Sequence, residues 1–100
     1  MPYNLTFSEL IQKQIEEALS YYDALSISLS LKFEENLFTV YDSLRQHPYN
    51  YFNLNKRFRR INLPDFPYQI IYTIIEKDNE IFVAALFHQH VNPKRIRKLR

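Results

Sequence analysis

The sequence predicts an α+β fold, with an N-terminal antiparallel helical hairpin packed on a small antiparallel β-sheet. Three observations carry that prediction. Apolar residues recur at three- and four-residue spacing through the first half of the chain, the mark of an amphipathic helix. After Pro48 that period disappears, and short β-branched and aromatic runs broken by turn formers replace it. One hundred residues with 46% hydrophobic and 24% charged content fit a globular chain with one core. Residues 1–100 are therefore read as one domain: hairpin at about 8–47, sheet at about 56–90, basic tail at 93–100.

Asn4 to Phe7 reads as a short strand leading into a helix. "TFSE" (6–9) offers a capping box, with Thr6 as N-cap and Glu9 three residues on, and Ser8 is a second candidate cap. Leu10, Ile11, Ile15, Ala18, Leu19, Tyr22 and Leu25 then share one helical face, while Gln12, Lys13, Glu16 and Glu17 take the wet side. "SISLS" (26–30) interrupts this helix with residues that favour caps and turns. A second helix carries Phe33, Leu37, Val40, Tyr41 and Leu44 and stops near His47, because Pro48 follows. His47 is placed to meet the C-terminal end of that helix dipole. So short a junction makes the pair antiparallel.

"YNYFNLN" (49–55) has no helical period and reads as a loop or an irregular edge segment. "RFRRINL" (57–63) alternates like a strand with a basic side, and "PDFP" (64–67) is a turn. "FPYQIIYTIIEKDNEIFVAALFHQH" (66–90) is a hairpin. Phe66, Tyr68, Ile70, Tyr72 and Ile74 point one way, and Gln69, Ile71, Thr73 and Ile75 the other. Across the "EKDNE" turn, Ile81, Val83, Ala85 and Phe87 alternate with Phe82, Ala84, Leu86 and His88. Asp78 and Asn79 can supply a left-handed turn without glycine. Neither side of this ribbon is polar, as a half-wet sheet would require. The helical hairpin is expected on one side. The other needs cover from the tail, from "YNYFNLN" or from another protein, and a foreign polypeptide is the expected answer.

Composition excludes several classes of chemistry. With no cysteine there is no disulfide framework, zinc–thiolate site or thiol nucleophile, which fits a reducing compartment. With no glycine there is no phosphate-cradling loop, dinucleotide fingerprint or nucleophile elbow, and no cofactor is expected. "MPYNLTFSELIQ" lacks a basic region followed by an apolar one, and no apolar run reaches membrane-spanning length. A cytoplasmic protein with no membrane partner is expected.

The net charge of +2 hides an asymmetry. "KRFRR" (56–60) and the tail "PKRIRKLR" (93–100) hold nine of the 13 basic residues, while Glu16, Glu17, Glu34, Glu35 and Asp42 lie in the first half. Lys56, Arg57, Arg59, Arg60, Lys94, Arg95 and Arg97 are candidates for binding a nucleic acid or an acidic partner. The plainer reading is a solvated strand edge and a frayed tail; the functional one is a tail (Lys98 and Arg100 included) that is disordered alone and folds on a partner. Tyr49, Tyr51 and Phe52 could stack on bases or close the core edge. His88 and His90, two apart on a strand, point to one face. Imidazoles there suit acid–base catalysis, or simply hydrogen bonding at a sheet edge. A third metal ligand is not evident, so no metal is predicted.

The order of helical hairpin, basic strand, "FPY-x-I-x-Y" (Phe66, Pro67, Tyr68, Ile70, Tyr72) and "A-x-FHQH-x-NP" (Ala85, Phe87, His88, Gln89, His90, Asn92, Pro93) resembles the ParE/RelE superfamily. These are toxins of type II toxin–antitoxin systems, of the plasmid-stabilisation type. "RRINLPDFPY" (59–68) resembles them too, and the likeness covers nearly the whole chain. It implies growth inhibition, and neutralisation by a cognate antitoxin that wraps the toxin in a hetero-oligomer. Two modes stay open, so whether the chain is an enzyme does too. ParE-like members bind DNA gyrase. RelE-like members enter the ribosome and cut mRNA, using an arginine where this chain has Gln69, another where it has His88, and often a C-terminal tyrosine. No tyrosine follows Tyr72 here, so the RelE-type set is incomplete and the ParE-like mode leads. In the RelE-like alternative His88 or His90 is catalytic, with Arg59 or Arg60 on the phosphate. A third reading is a binding module on the same fold without toxicity.

Overall fold

The structure is a computed structural model and describes residues 2–99. Met1 and Arg100, the latter the last cation of the predicted tail, lie outside the described residues. In chain order the elements are β1 (Asn4–Phe7), α1 (Glu9–Leu25), α2 (Ile27–Gln46), a 3₁₀ turn (Pro48–Asn50) and β2 (Phe52–Asn53). They continue with β3 (Arg59–Asn62), β4 (Tyr68–Ile75), a second 3₁₀ turn (Glu76–Asp78), β5 (Glu80–His88) and α3 (Pro93–Arg97). The α+β expectation holds, and the five strands form one sheet in the order β1-β5-β4-β3-β2.

Both helices follow the apolar period that predicts them. Ile11 and Ala18 of α1, and Phe33, Leu37, Val40 and Leu44 of α2, are buried on the sheet. Leu10 and Leu25, assigned to the buried face from spacing, are instead exposed. The N-cap of α1 is Ser8, not Thr6: Ser8 Oγ accepts from the N–H of Ile11 at 3.0 Å. Thr6 stays in β1 and donates to Glu80 at 2.6 Å. The break at "SISLS" shrinks to one residue. Ser26, in extended backbone, ends α1 and begins α2, and Ser30 is helical and buried. Asn36, also buried, donates to the Asp65 carboxylate at 3.0 Å and accepts from its N–H at 2.8 Å, tying the "PDFP" turn to α2.

The sheet is antiparallel from β2 through β5, and β1 joins β5 in parallel, with Asn4 beside Glu80 and Phe7 beside Val83. The β4–β5 turn uses Asn79 in the left-handed region at φ 52°, the one non-glycine residue so placed among those described. Asparagine tolerates that backbone because its short polar side chain bonds locally; here it donates to the carbonyl of Pro2 at 3.1 Å.

Register on β5 departs from simple alternation. Ile71 pairs with Ala85 and Tyr72 with Val83, so Ala84 is bulged out of the ladder. Ile81, Val83 and Leu86 therefore share the helical face, while Ala85 and Phe87 turn to the other. The expected grouping of Ile81 and Val83 with Ala85 and Phe87 is corrected by that one inserted residue. The bulge leaves backbone groups without strand partners, and α1 supplies them. Ser8 Oγ donates to the Ala84 carbonyl at 2.6 Å, and Gln14 Oε1 accepts from the Leu86 N–H at 2.7 Å.

The second face of the sheet is covered by the chain itself. Phe58, Ile71, Ala84, Ala85 and Phe87 form a second buried cluster, with Leu54, Phe82, Val91, Ile96 and Leu99 packed against it. This corrects the expectation that a foreign polypeptide shields that face, and the expectation that the tail orders only on a partner. Pro93 and the Asn92 cap start α3, whose Ile96 reaches the sheet. Among the described residues no helix is long and apolar enough to cross a membrane.

Candidate functional site

β5 delivers His88 to the end of the sheet, where the chain turns back. The turn is held by the Gln89 N–H donating to the Pro67 carbonyl at 2.8 Å and the Val91 N–H to that of His88 at 3.0 Å. His90 therefore lies in a turn beyond the strand, not on it as its spacing implies, yet the two rings remain neighbours at 5.4 Å. The His90 N–H donates to His88 Nδ1 at 3.1 Å. Nδ1 is thereby an acceptor, so a neutral His88 ring carries its proton on Nε2. The same ring meets Tyr68 edge to face at 5.8 Å.

These side chains open onto a cleft of about 470 Å³ between α1, the end of the sheet and α3. Leu86 and Phe87 line it together with Glu17, Tyr68, His88, His90 and Arg95. The Arg95 guanidinium sits over the Phe87 ring at 5.3 Å. Sequence reasoning missed Glu17 here, having assigned it to the solvated side of α1. No local signal could place it: α1 reaches the cleft because Gln14 and Ser8 are bonded to the bulge. Among the described residues no group of three or more His, Cys, Asp or Glu side chains is close enough to hold a metal ion.

The arginines of β3 do not join the histidines. Residues paired directly across a sheet share a face. Arg59 pairs with Tyr72 on the helical side, and Arg60 pairs with Ile71 and Phe52 on the second face. Arg59 is engaged within the fold, donating to the carbonyls of Tyr49 and Tyr51 at 3.1 and 2.9 Å with its guanidinium over the Tyr49 ring. Arg60 stacks on Phe52 at 4.5 Å. His88 pairs with Tyr68, at the start of β4 and on the helical side, whereas the arginines pair with its middle. Lys56 and Arg57 are exposed in the loop before β3, and Lys94, Arg95, Arg97 and Lys98 are exposed along α3 and its end.

Gln69 pairs with Phe87, points to the second face and is only 3% exposed. Its amide reaches the His88 carbonyl at 3.5 Å. Among the described residues Gln69 Oε1 and Arg60 Nε are buried without a hydrogen-bond partner. Of the aromatics that were candidates for base stacking, Tyr51 packs against the main core, whereas Tyr49 and Phe52 are exposed beneath their arginines. Tyr49 also donates to Glu76, as Tyr3 does at 3.1 Å. That carboxylate, followed by desolvation, pushes the Tyr49 phenol up to about 12. The buried Tyr72 hydroxyl donates to the Pro48 carbonyl at 2.6 Å, and its phenol is raised by burial.

The sequence profile of the family described as ParE toxin of type II toxin-antitoxin system, parDE, matches residues 5–93. No curated protein matches the chain. Among solved structures, the chromosomal ParDE toxin–antitoxin system from P. aeruginosa superposes with a TM-score of 0.71 at 13% identity, over 86% of this chain and 95% of that one. The archaeal RelE–RelB complex from Pyrococcus horikoshii gives 0.63 at 17% identity, over 92% and 100%. The isolated E. coli RelE toxin gives 0.57 at 18%, over 95% and 93%. At such identities the likeness to these structures is one of fold.

Proposed function

Because the chain belongs to the ParE toxin family of type II toxin–antitoxin systems, we propose that it arrests growth by binding a protein target of the DNA gyrase class, and that a cognate antitoxin neutralises it. One observation carries the choice of binding over RNA cleavage: the arginines of β3 do not converge with the candidate catalytic histidines. Cutting RNA needs a base for the ribose 2′-OH, an acid for the leaving oxygen and a cation on the phosphate, all within hydrogen-bond reach of one point. Here Arg59 is occupied by loop carbonyls, Arg60 lies on the opposite face from His88, and a buried Gln69 stands where the resemblance implies an arginine. Lys56, Arg57, Lys94 and Arg97 are exposed and suited to meet an acidic surface on target or antitoxin. The antitoxin complexes among the fold matches support that partner.

A second reading is favoured by one feature only. His88, His90 and Arg95 share a cleft, and that trio could serve an RNA phosphate without help from β3. Purified protein assayed against gyrase supercoiling, and in parallel against ribosome-bound and free mRNA, separates the two. We expect supercoiling to be inhibited, mRNA to stay intact, and His88→Ala and His90→Ala to leave both results unchanged. Specific mRNA cuts that His88→Ala abolishes would replace the binding reading with the nuclease one. Inactivity in every assay, with no arrest on expression, would leave a binding module.

A further inference from the structure

The two basic segments are far apart in sequence, and the fold brings them to one face. Phe58, inside "KRFRR" (56–60), belongs to the buried cluster on the second face of the sheet, and Leu54 packs against the same cluster. Ile96 of α3 and Leu99 beyond it cover that cluster from outside. With Ile96 turned inward, Lys94, Arg97 and Lys98 are left exposed around it.

The loop half of this face is fixed from within. Asn55 Oδ1 accepts from the N–H groups of Arg57 and Phe58, both at 2.8 Å, and the Thr73 hydroxyl donates to the Arg57 carbonyl at 2.6 Å. Lys56 and Arg57 are thus presented on a set turn, exposed, with the Arg57 guanidinium over the Phe58 ring at 5.2 Å. Arg60 adds a further guanidinium at the adjoining edge, over Phe52 at 4.5 Å.

We propose that this face docks on the phosphate backbone of duplex DNA, whatever its base sequence. The proposal rests on the target reading above only for the source of that DNA: an enzyme of the gyrase class holds it, and the toxin grips enzyme and DNA together. Cations set on an ordered support suit anions spaced along a chain. A single strand, RNA included, lays its bases on bare rings. Here Phe52 lies beneath Arg60, Phe58 beneath Arg57 and Phe87 beneath Arg95, and the last two rings are buried besides. A protein partner needs an apolar centre to desolvate. Among the described residues the large apolar side chains left exposed belong to α1, α2 or the helical side of the sheet, Phe52 alone excepted.

The test uses the full-length protein and a short fluorescent DNA duplex of arbitrary sequence, free and loaded on gyrase. Affinity for the free duplex should fall roughly hundredfold between about 50 and about 200 mM salt, as for about four phosphate contacts. Lys56→Glu with Arg57→Glu, and Lys94→Glu with Arg97→Glu, should each weaken it roughly tenfold or more and lower the salt slope by about two. Lys13→Glu with Lys32→Glu makes the same change of net charge on the two long helices and should alter neither. All these positions are exposed, so circular dichroism should match wild type throughout. Wild type should hold loaded gyrase roughly tenfold more tightly than bare gyrase, because the two contacts reinforce each other, and either reversal on the face should remove that advantage. Equal losses from the helical pair would reduce the effect to net charge and overturn the proposal. Tighter binding of single-stranded RNA of the same length would overturn it too, as would reversals that weaken bare and loaded gyrase alike, which would make an acidic protein surface the occupant. A duplex bound on the expected slope with gyrase ignored would remove the target reading and leave this face standing; gyrase bound with the duplex ignored would do the reverse.

Discussion

Ser8 does two things with one hydroxyl: it accepts from the Ile11 N–H to start α1, and it donates to the Ala84 carbonyl that the bulge leaves free. Ser8→Ala removes a helix cap and strands a partly buried acceptor, so it should cost about 1–3 kcal/mol in urea denaturation; a loss near zero would show that water replaces both bonds. "TFSE" contains the cap but not its identity. Thr6 satisfies the local capping pattern as well as Ser8 does, and only the pairing of β1 with β5 excludes it. His88 is visible in the sequence because it closes an apolar strand. Its tautomer is not, because that depends on a turn that brings the His90 N–H back onto the ring. Arg59 was legible as a cation and illegible as an internal clip, since the Tyr49 and Tyr51 carbonyls it binds sit in a segment without period.

At the scale of elements, α1, α2, β3, β4 and β5 all follow from apolar spacing, because each has a face or a centre to bury. The bulge does not, because β5 is apolar on both sides and alternation there carries no register information. The one-residue junction at Ser26 was hidden for a related reason: serines that often break helices are tolerated once tertiary packing supports the turns around them. The cleft is a product of three elements distant in sequence, so His88 could be picked out while Glu17 and Arg95 could not be joined to it. The short helix α3 is the element whose contribution is easiest to measure. Ile96→Asp places a charge against the second buried cluster and should lift α3 from the sheet. Increased binding of a hydrophobic dye, with a stability loss of about 1–3 kcal/mol, is expected. Unaltered dye binding would mean that α3 covers nothing.

The whole molecule is polarised. α1 and α2 carry seven acidic and three basic residues, whereas the rest of the chain carries ten basic and four acidic. The acidic helices and the cationic tail therefore offer opposite signs from opposite layers of one small fold. Tyrosines set its alkaline limit. Burial raises the Tyr41 phenol to about 12 and the Tyr22 phenol likewise, and Glu76 does the same for Tyr49. Their folded values lie above the ordinary 10, so the unfolded chain ionises first. Stability from these groups is complete below about pH 10 and is lost as pH rises towards 12. Urea midpoints should fall across that window, and less steeply in Tyr41→Phe. A flat profile there would mean that these phenols ionise freely in the folded chain. The parallel pairing of Asn4–Phe7 with β5 has a consequence for biosynthesis. The first strand cannot be seated until Val83 has left the ribosome, so the sheet closes only after β5 has been made. A translation product cut short before Glu80 retains both long helices but has nothing to lay them on, and should be degraded rather than poison the cell that is making it.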